Sequence, residues 1–164
     1  MKPGDHPEFF RFPAPAGRSR ESTICLDRQG RFSHDGEPVE HEGMAKAFAK
    51  WVRRHPDDGR WILSNGYDWC YFTVEDTGYF VLGLTVGEVV TLRLSDDTSE
   101  PMDPRGLTVD DDGVLRVRVK EGAEAARFSR QAQLSIGPLL ADEEPLAVVL
   151  NGRRFVVEDT PNES

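Results

Sequence analysis

Cysteine is scarce in this sequence: its 164 residues hold two, Cys25 and Cys70, and no C-x-x-C pair. That excludes a disulfide framework and the paired-thiol zinc motifs. Each thiol sits in an apolar, strand-like run, where a free cysteine behaves as a small buried hydrophobe. Long hydrophobic runs are missing as well. No stretch approaches the length of a membrane span, and Met1 to Phe12 lacks the apolar core of a secretory signal. The expected location is therefore the cytoplasm, with no membrane partner. Basic excess is also lacking, since 29 acids face 20 bases for a formal net charge of −9. Nucleic-acid binding draws most of its affinity from Lys and Arg on phosphates, so no nucleic-acid partner is expected. There is no phosphate-cradling glycine pattern and no nucleophile-elbow serine. His41-Glu42 lacks the second His that a zinc-protease helix places four residues on.

What is present reads as an ordinary globular chain, 38% hydrophobic and 30% charged. A globule of this length buries roughly 70% of its unfolded surface, enough to fold without a metal or cofactor. Residues 1–22 read as a partly flexible tail punctuated by Pro13, Pro15 and Gly17, with the Phe9, Phe10 and Phe12 cluster expected to dock on the body or a partner. Residues 23–160 read as a single α+β domain, and 161–164 as a disordered polar end. Strand signals cover Thr23 to Leu26 and Arg31 to Ser33 around a Gln29-Gly30 turn, with a short edge strand from Glu37 to Glu40. A helix is predicted from Glu42 to Arg54, because Met44, Phe48, Trp51 and Val52 recur at helical spacing and Pro56 then stops it.

The rest is mostly antiparallel β. Strands are predicted at Trp61 to Leu63, Trp69 to Val74, Tyr79 to Leu84, Glu88 to Leu94 and Val114 to Val119. Ser95 to Arg105 reads as a loop. A second helix spans Ser129 to Ile136, and a hairpin turns at Asn151-Gly152. The run Phe72 to Thr77 returns as Phe155 to Thr160, an offset of 155 − 72 = 83 that also carries Gly30 onto Gly113. The predicted domain is thus two repeats of a strands–helix–hairpin unit, about 23–80 and 81–160. Glu75 and Asp76 recur as Glu158 and Asp159, which points to strand-ending turns rather than a catalytic carboxylate pair.

The run Asp27 to Val39 resembles the opening of the domain-of-unknown-function 1285 family, which carries Asp-Gly, an aromatic, a His, then Gly and Pro ahead of a helix. The similarity continues at Trp69, at Val74-Glu75-Asp76, at Val117-Arg118 and across Gly122 to Arg130, spanning roughly 23–157. The chain departs from the pattern at Ser64 to Asp68 and at Thr77-Gly78-Tyr79, as a divergent member would. The resemblance implies a bacterial α+β protein with repeated motifs, no established activity and a part in signal transduction. It carries over no catalytic residue.

Strand alternation places Trp69, Tyr71 and Thr73 on one face and Cys70, Phe72 and Val74 on the other. An aromatic surface of that kind suits an interface. The expected function is a non-catalytic binding or regulatory module with His34, Trp69, Tyr71, Glu75 and Arg118 as binding residues, and with a protein or small molecule as its partner. The alternatives are a small metal-dependent enzyme with a His/carboxylate site near His34 and His41, and an oligomeric structural protein associating through sheet edges.

Overall fold

The computed structural model describes residues 2–161, so Met1 and most of the predicted polar end lie outside the described residues. The chain divides into two compact units, one ending at Gly78 and one beginning at Tyr79.

The first unit opens with 3-10 turns at Pro3–Asp5 and Pro7–Arg11. Then follow β1 (Cys25–Leu26), β2 (Phe32–His34), β3 (Glu37–Pro38), helix α1 (Glu42–Trp51), β4 (Val52–Arg54), β5 (Trp61–Ser64), β6 (Trp69–Tyr71) and β7 (Thr73–Val74). One sheet has the order β3-β2-β1-β7 and the other β4-β5-β6. Asp27 builds the β1–β2 turn, its carboxylate accepting the N–H groups of Gln29 and Arg31, both at 2.9 Å. His41 caps α1 by accepting the Met44 N–H on Nδ1 at 3.1 Å.

The helix is shorter than its periodicity predicts. Val52 to Arg54 leave it and pair with β5, which buries β-branched Val52 against the apolar strand Ile62-Leu63. Met44, expected on the buried face, is 51% exposed. At Phe72 the chain crosses between sheets: Tyr71 pairs antiparallel with Ile62, and Thr73 pairs parallel with Cys25.

The second unit contains β8 (Tyr79–Val86), β9 (Val90–Leu94), β10 (Ser99–Pro101), β11 (Leu107–Val109), β12 (Leu115–Val119), β13 (Glu124–Phe128), helix α2 (Arg130–Ile136), β14 (Leu140–Ala141), β15 (Ala147–Leu150), β16 (Arg153–Val156) and β17 (Glu158–Asp159). Its sheets run β10-β9-β8-β13-β12-β11-β17 and β14-β15-β16. β12 shows why it is a strand: Leu115, Val117 and Val119 are buried on one face while Arg116, half-buried against Asp110, and exposed Arg118 lie on the other. β10 lies where the sequence reads as a loop; it is an edge strand, the one place where Pro101 costs no ladder bond. Ser129 caps α2 by accepting the Ala132 N–H at 3.1 Å. Asn151 and Gly152 both take positive φ, 52° and 77°, in the tight turn their identity predicts.

The fold is α+β and mostly antiparallel; among the described residues, parallel pairing occurs at β1–β7, β8–β13 and β11–β17. No helix among them is long and apolar enough to cross a membrane. The connection order from β1 to β7 is also the order from β11 to β17. β17 crosses over to pair parallel with β11 as β7 does with β1, and Asp110 repeats the Asp27 turn by accepting the N–H groups of Asp112 and Val114. The sequence match at Phe72 is nevertheless out of register by two residues. The Phe72 N–H donates to the Trp61 carbonyl, and its counterpart is the Val157 N–H donating to that of Leu146, an offset of 157 − 72 = 85. Loops between the strands differ in length, so a single offset cannot span the unit. The strands β8, β9 and β10 have no counterpart in the first unit's order.

Candidate functional site

Trp69 and Tyr71 share one face of β6, with ring centroids 5.1 Å apart. The face is not open. Phe10 is buried with Ile62 and Trp69, and Phe9 and Tyr71 pack against that cluster, leaving Trp69 6% exposed. The surface expected from strand alternation is therefore core, because residues read as a tail supply the layer that covers it. His55 sits in the same cluster, buried between the rings of Phe10, Trp69 and Tyr71. Its Nδ1 accepts the Asp57 N–H at 3.1 Å, so Nε2 carries the proton and donates to the Phe10 carbonyl at 3.0 Å. No sequence pattern marks this histidine, whose partner lies 45 residues away.

Guanidinium groups stack on the aromatic cluster: Arg20 on Trp69 at 4.4 Å, Arg53 on Phe10 at 4.3 Å and Arg60 on Tyr71 at 3.7 Å. Two of these cations are spent on acids. Arg20 pairs with Asp68 at 2.8 Å, and Arg60 holds Glu21 through two bonds of 2.9 Å. The Tyr71 hydroxyl donates to Asp58 at 2.6 Å, which holds that carboxyl below its usual range; burial, then Asp58, pushes the phenol up.

The other predicted residues do not converge on this cluster. His34 is exposed on β2, 3.7 Å from Asp35. Glu75 accepts the Arg28 N–H at 3.1 Å, tying the β1–β2 turn to the end of β7. Arg118 lies in the second unit and donates twice to the Gly122 carbonyl, at 3.1 and 2.7 Å, bracing the β12–β13 turn. His41 has its Nδ1 committed to capping α1, and no group of three or more His, Cys, Asp or Glu among the described residues is placed to hold a metal. Cys25 and Cys70 are free thiols that burial pushes up, a bond with Ser22 offsetting part of the effect at Cys70. Such thiols stay protonated near neutrality and are poor nucleophiles.

Concave surface occurs in each unit. In the first, a cleft of about 170 Å³ lies among Trp51, Leu63, Asp68 and Cys70. In the second, a groove of about 340 Å³ has apolar walls from Val86, Val89, Met102, Leu139, Val149 and Phe155. Only the second reaches the size of ordinary ligand pockets, roughly 300–1,000 Å³. It also accounts for exposed apolar surface, Val86 at 57% and Val89 at 55%. Asn151 donates to the Glu88 carbonyl at 2.8 Å and so ties the β15–β16 turn to the β8–β9 turn. One wall of each hollow comes from equivalent strands, β6 and β16. Cys70, paired with Leu63, corresponds to Phe155, paired with Val148, and Asp68 corresponds to Arg153.

No family model and no curated protein matches the chain. Among solved structures it is similar to a DUF1285 family protein from Silicibacter pomeroyi DSS-3, with a TM-score of 0.62 at 15% identity and 92% of each chain covered. It is also similar to a DUF1285 family protein from Shewanella baltica OS155, with a TM-score of 0.52 at 16% identity over 68% of this chain and 87% of that one. What is shared at such identities is the fold. The chain thus resembles the DUF1285 family in its backbone as well as in the short motifs of its sequence.

Proposed function

We propose that the protein is a non-catalytic binding module, and that the groove of the second unit holds a small molecule with an apolar body. The observation that carries this reading is the groove itself, about 340 Å³ of mostly apolar wall that keeps Val86 and Val89 in contact with solvent. Exposed apolar surface gathered in a concavity is a common mark of a ligand site. The absence of catalysis is supported by how the reactive groups are used. His41 caps a helix, His55 bonds to backbone on both nitrogens, and both thiols are raised. The regulatory part implied by the family resemblance would act through occupancy of this groove. The matching connection orders, with equivalent turns at Asp27 and Asp110, support duplication of one ancestral unit.

The test uses N-phenyl-1-naphthylamine, a neutral probe that fluoresces on leaving water. The expected result is saturable binding at one equivalent, weakened at least tenfold in Val89→Glu, which puts a charge on the apolar wall. Absence of saturable binding, or an unchanged Val89→Glu, would overturn the reading. A dimer in sedimentation that Val89→Glu dissociates would instead assign the groove to a second copy of the chain.

A further inference from the structure

We infer that the groove's ligand is an amphiphile with a carboxylate head, held by Arg153. The inference rests on the groove being the ligand site, as proposed above. Arg153 and Phe155 are two apart on β16, so their side chains share a face, and both line the groove. The guanidinium lies over the Phe155 ring, 5.3 Å from its centroid, which keeps it at the apolar wall.

Its charge is unspent. Among the described residues, no acid pairs with Arg153. The adjacent Arg154, on the opposite face, pairs with Glu143 at 2.8 Å and donates to the Pro145 carbonyl at 3.2 Å. Nor does the fold require a cation at this place, since the counterpart in the first unit is Asp68, already paired with Arg20. A guanidinium offers a planar fork of donors that a carboxylate accepts through two parallel bonds. Part of that exchange takes place against the groove's apolar walls, where water competes less.

The size of the body follows from the space. About 340 Å³ is at the low end of ligand pockets, which suits a medium-length chain or a two-ring aromatic rather than a long lipid. Glu88 also lines the groove and is unpaired among the described residues. Its charge repels an anionic head, so the head belongs beside Arg153 and the body runs along Val86 and Val89.

Decanoate and its neutral analogue decanamide separate head from body. At pH 7 and low salt, decanoate is expected to displace the naphthyl probe at least tenfold more tightly than decanamide does. Arg153→Gln should erase that preference, with each displacement referred to the variant's own affinity for the probe. Arg154→Gln should preserve the preference, and Glu88→Gln should increase it. If the probe binds but the two decanoyl compounds bind alike, or Arg153→Gln keeps the preference, the carboxylate assignment falls and the groove stands. If neither probe nor decanoate binds, both fall.

Discussion

Replacing Phe10 with Ala should destabilise the first unit by about 3 kcal/mol, the low end of the ~3–5 kcal/mol that Phe-to-Ala changes cost in cores. Phe10 is 3% exposed and loses ring contacts with Phe9 at 5.1 Å and Trp69 at 6.0 Å, together with the Arg53 guanidinium at 4.3 Å. The low end applies because Phe10 sits on a short 3-10 segment, Pro7–Arg11, that pairs with no sheet. The segment can undock alone, which caps the loss at the free energy of docking. Trp51, Trp61 and Trp69 all lie in the first unit, so intrinsic fluorescence during urea unfolding reports on that unit. With a denaturant slope of about 2 kcal/mol per molar, the midpoint should fall by about 1.5 M. Phe12→Ala, at a residue 63% exposed, is the control and should stay within about 0.5 kcal/mol. Equal small shifts for both variants would refute the reasoning. The N-terminal residues would then not be a layer of the core, and the Trp69 face would return to the surface as a binding candidate.

Two further perturbations probe individual contacts. Burial acts to raise the Asp96 carboxyl, but Lys120 at 2.5 Å and the Thr98 hydroxyl outweigh it and hold the group below its usual range. Its stabilising contribution is therefore complete above the unfolded value of about 3.9 and is lost as pH falls through the lower folded value. Asp96→Asn should be less stable than the parent at pH 6 and lose less stability between pH 5 and pH 2, followed by circular dichroism in urea; parallel pH profiles would count against the pair. At Gly78 an added Cβ would stand 2.4 Å from the Trp61 ring, which Arg54 backs at 3.6 Å. Gly78→Ala should cost about 1–3 kcal/mol by overpacking, read from the same fluorescence midpoint. No change would mean that the Trp61 ring moves aside freely.

Features that depend on a few neighbouring residues were legible in the sequence. Asn151-Gly152 names its turn because both positions tolerate positive φ, Ser129 starts α2 because its hydroxyl takes an orphan amide, and the alternation in β12 states which residues face inward. Each of these rests on local sterics and local hydrogen bonds, which a stretch of sequence carries with it. The end of α1 already escapes that logic. Val52 fits the helical period, but pairing with Leu63 decides its conformation. Alternation likewise put Trp69 and Tyr71 on one face correctly, yet whether that face meets water depends on Phe10, a residue some sixty positions upstream that no period connects to it.

The groove was not legible at all. Its walls come from the β8–β9 turn, Met102, the 3-10 turn Gly137–Leu139 after α2 and the β15–β16 hairpin, segments that share no motif. Likewise, that Arg153 lacks an acid partner among the described residues is a fact about what surrounds it in space and not about its neighbours in the chain. The sequence by itself determined the caps, the turns and the alternating faces, because those energies are settled within a few residues. The tertiary structure alone decided which faces are covered, which cations are spent and where a hollow remains, because those depend on contacts between distant segments.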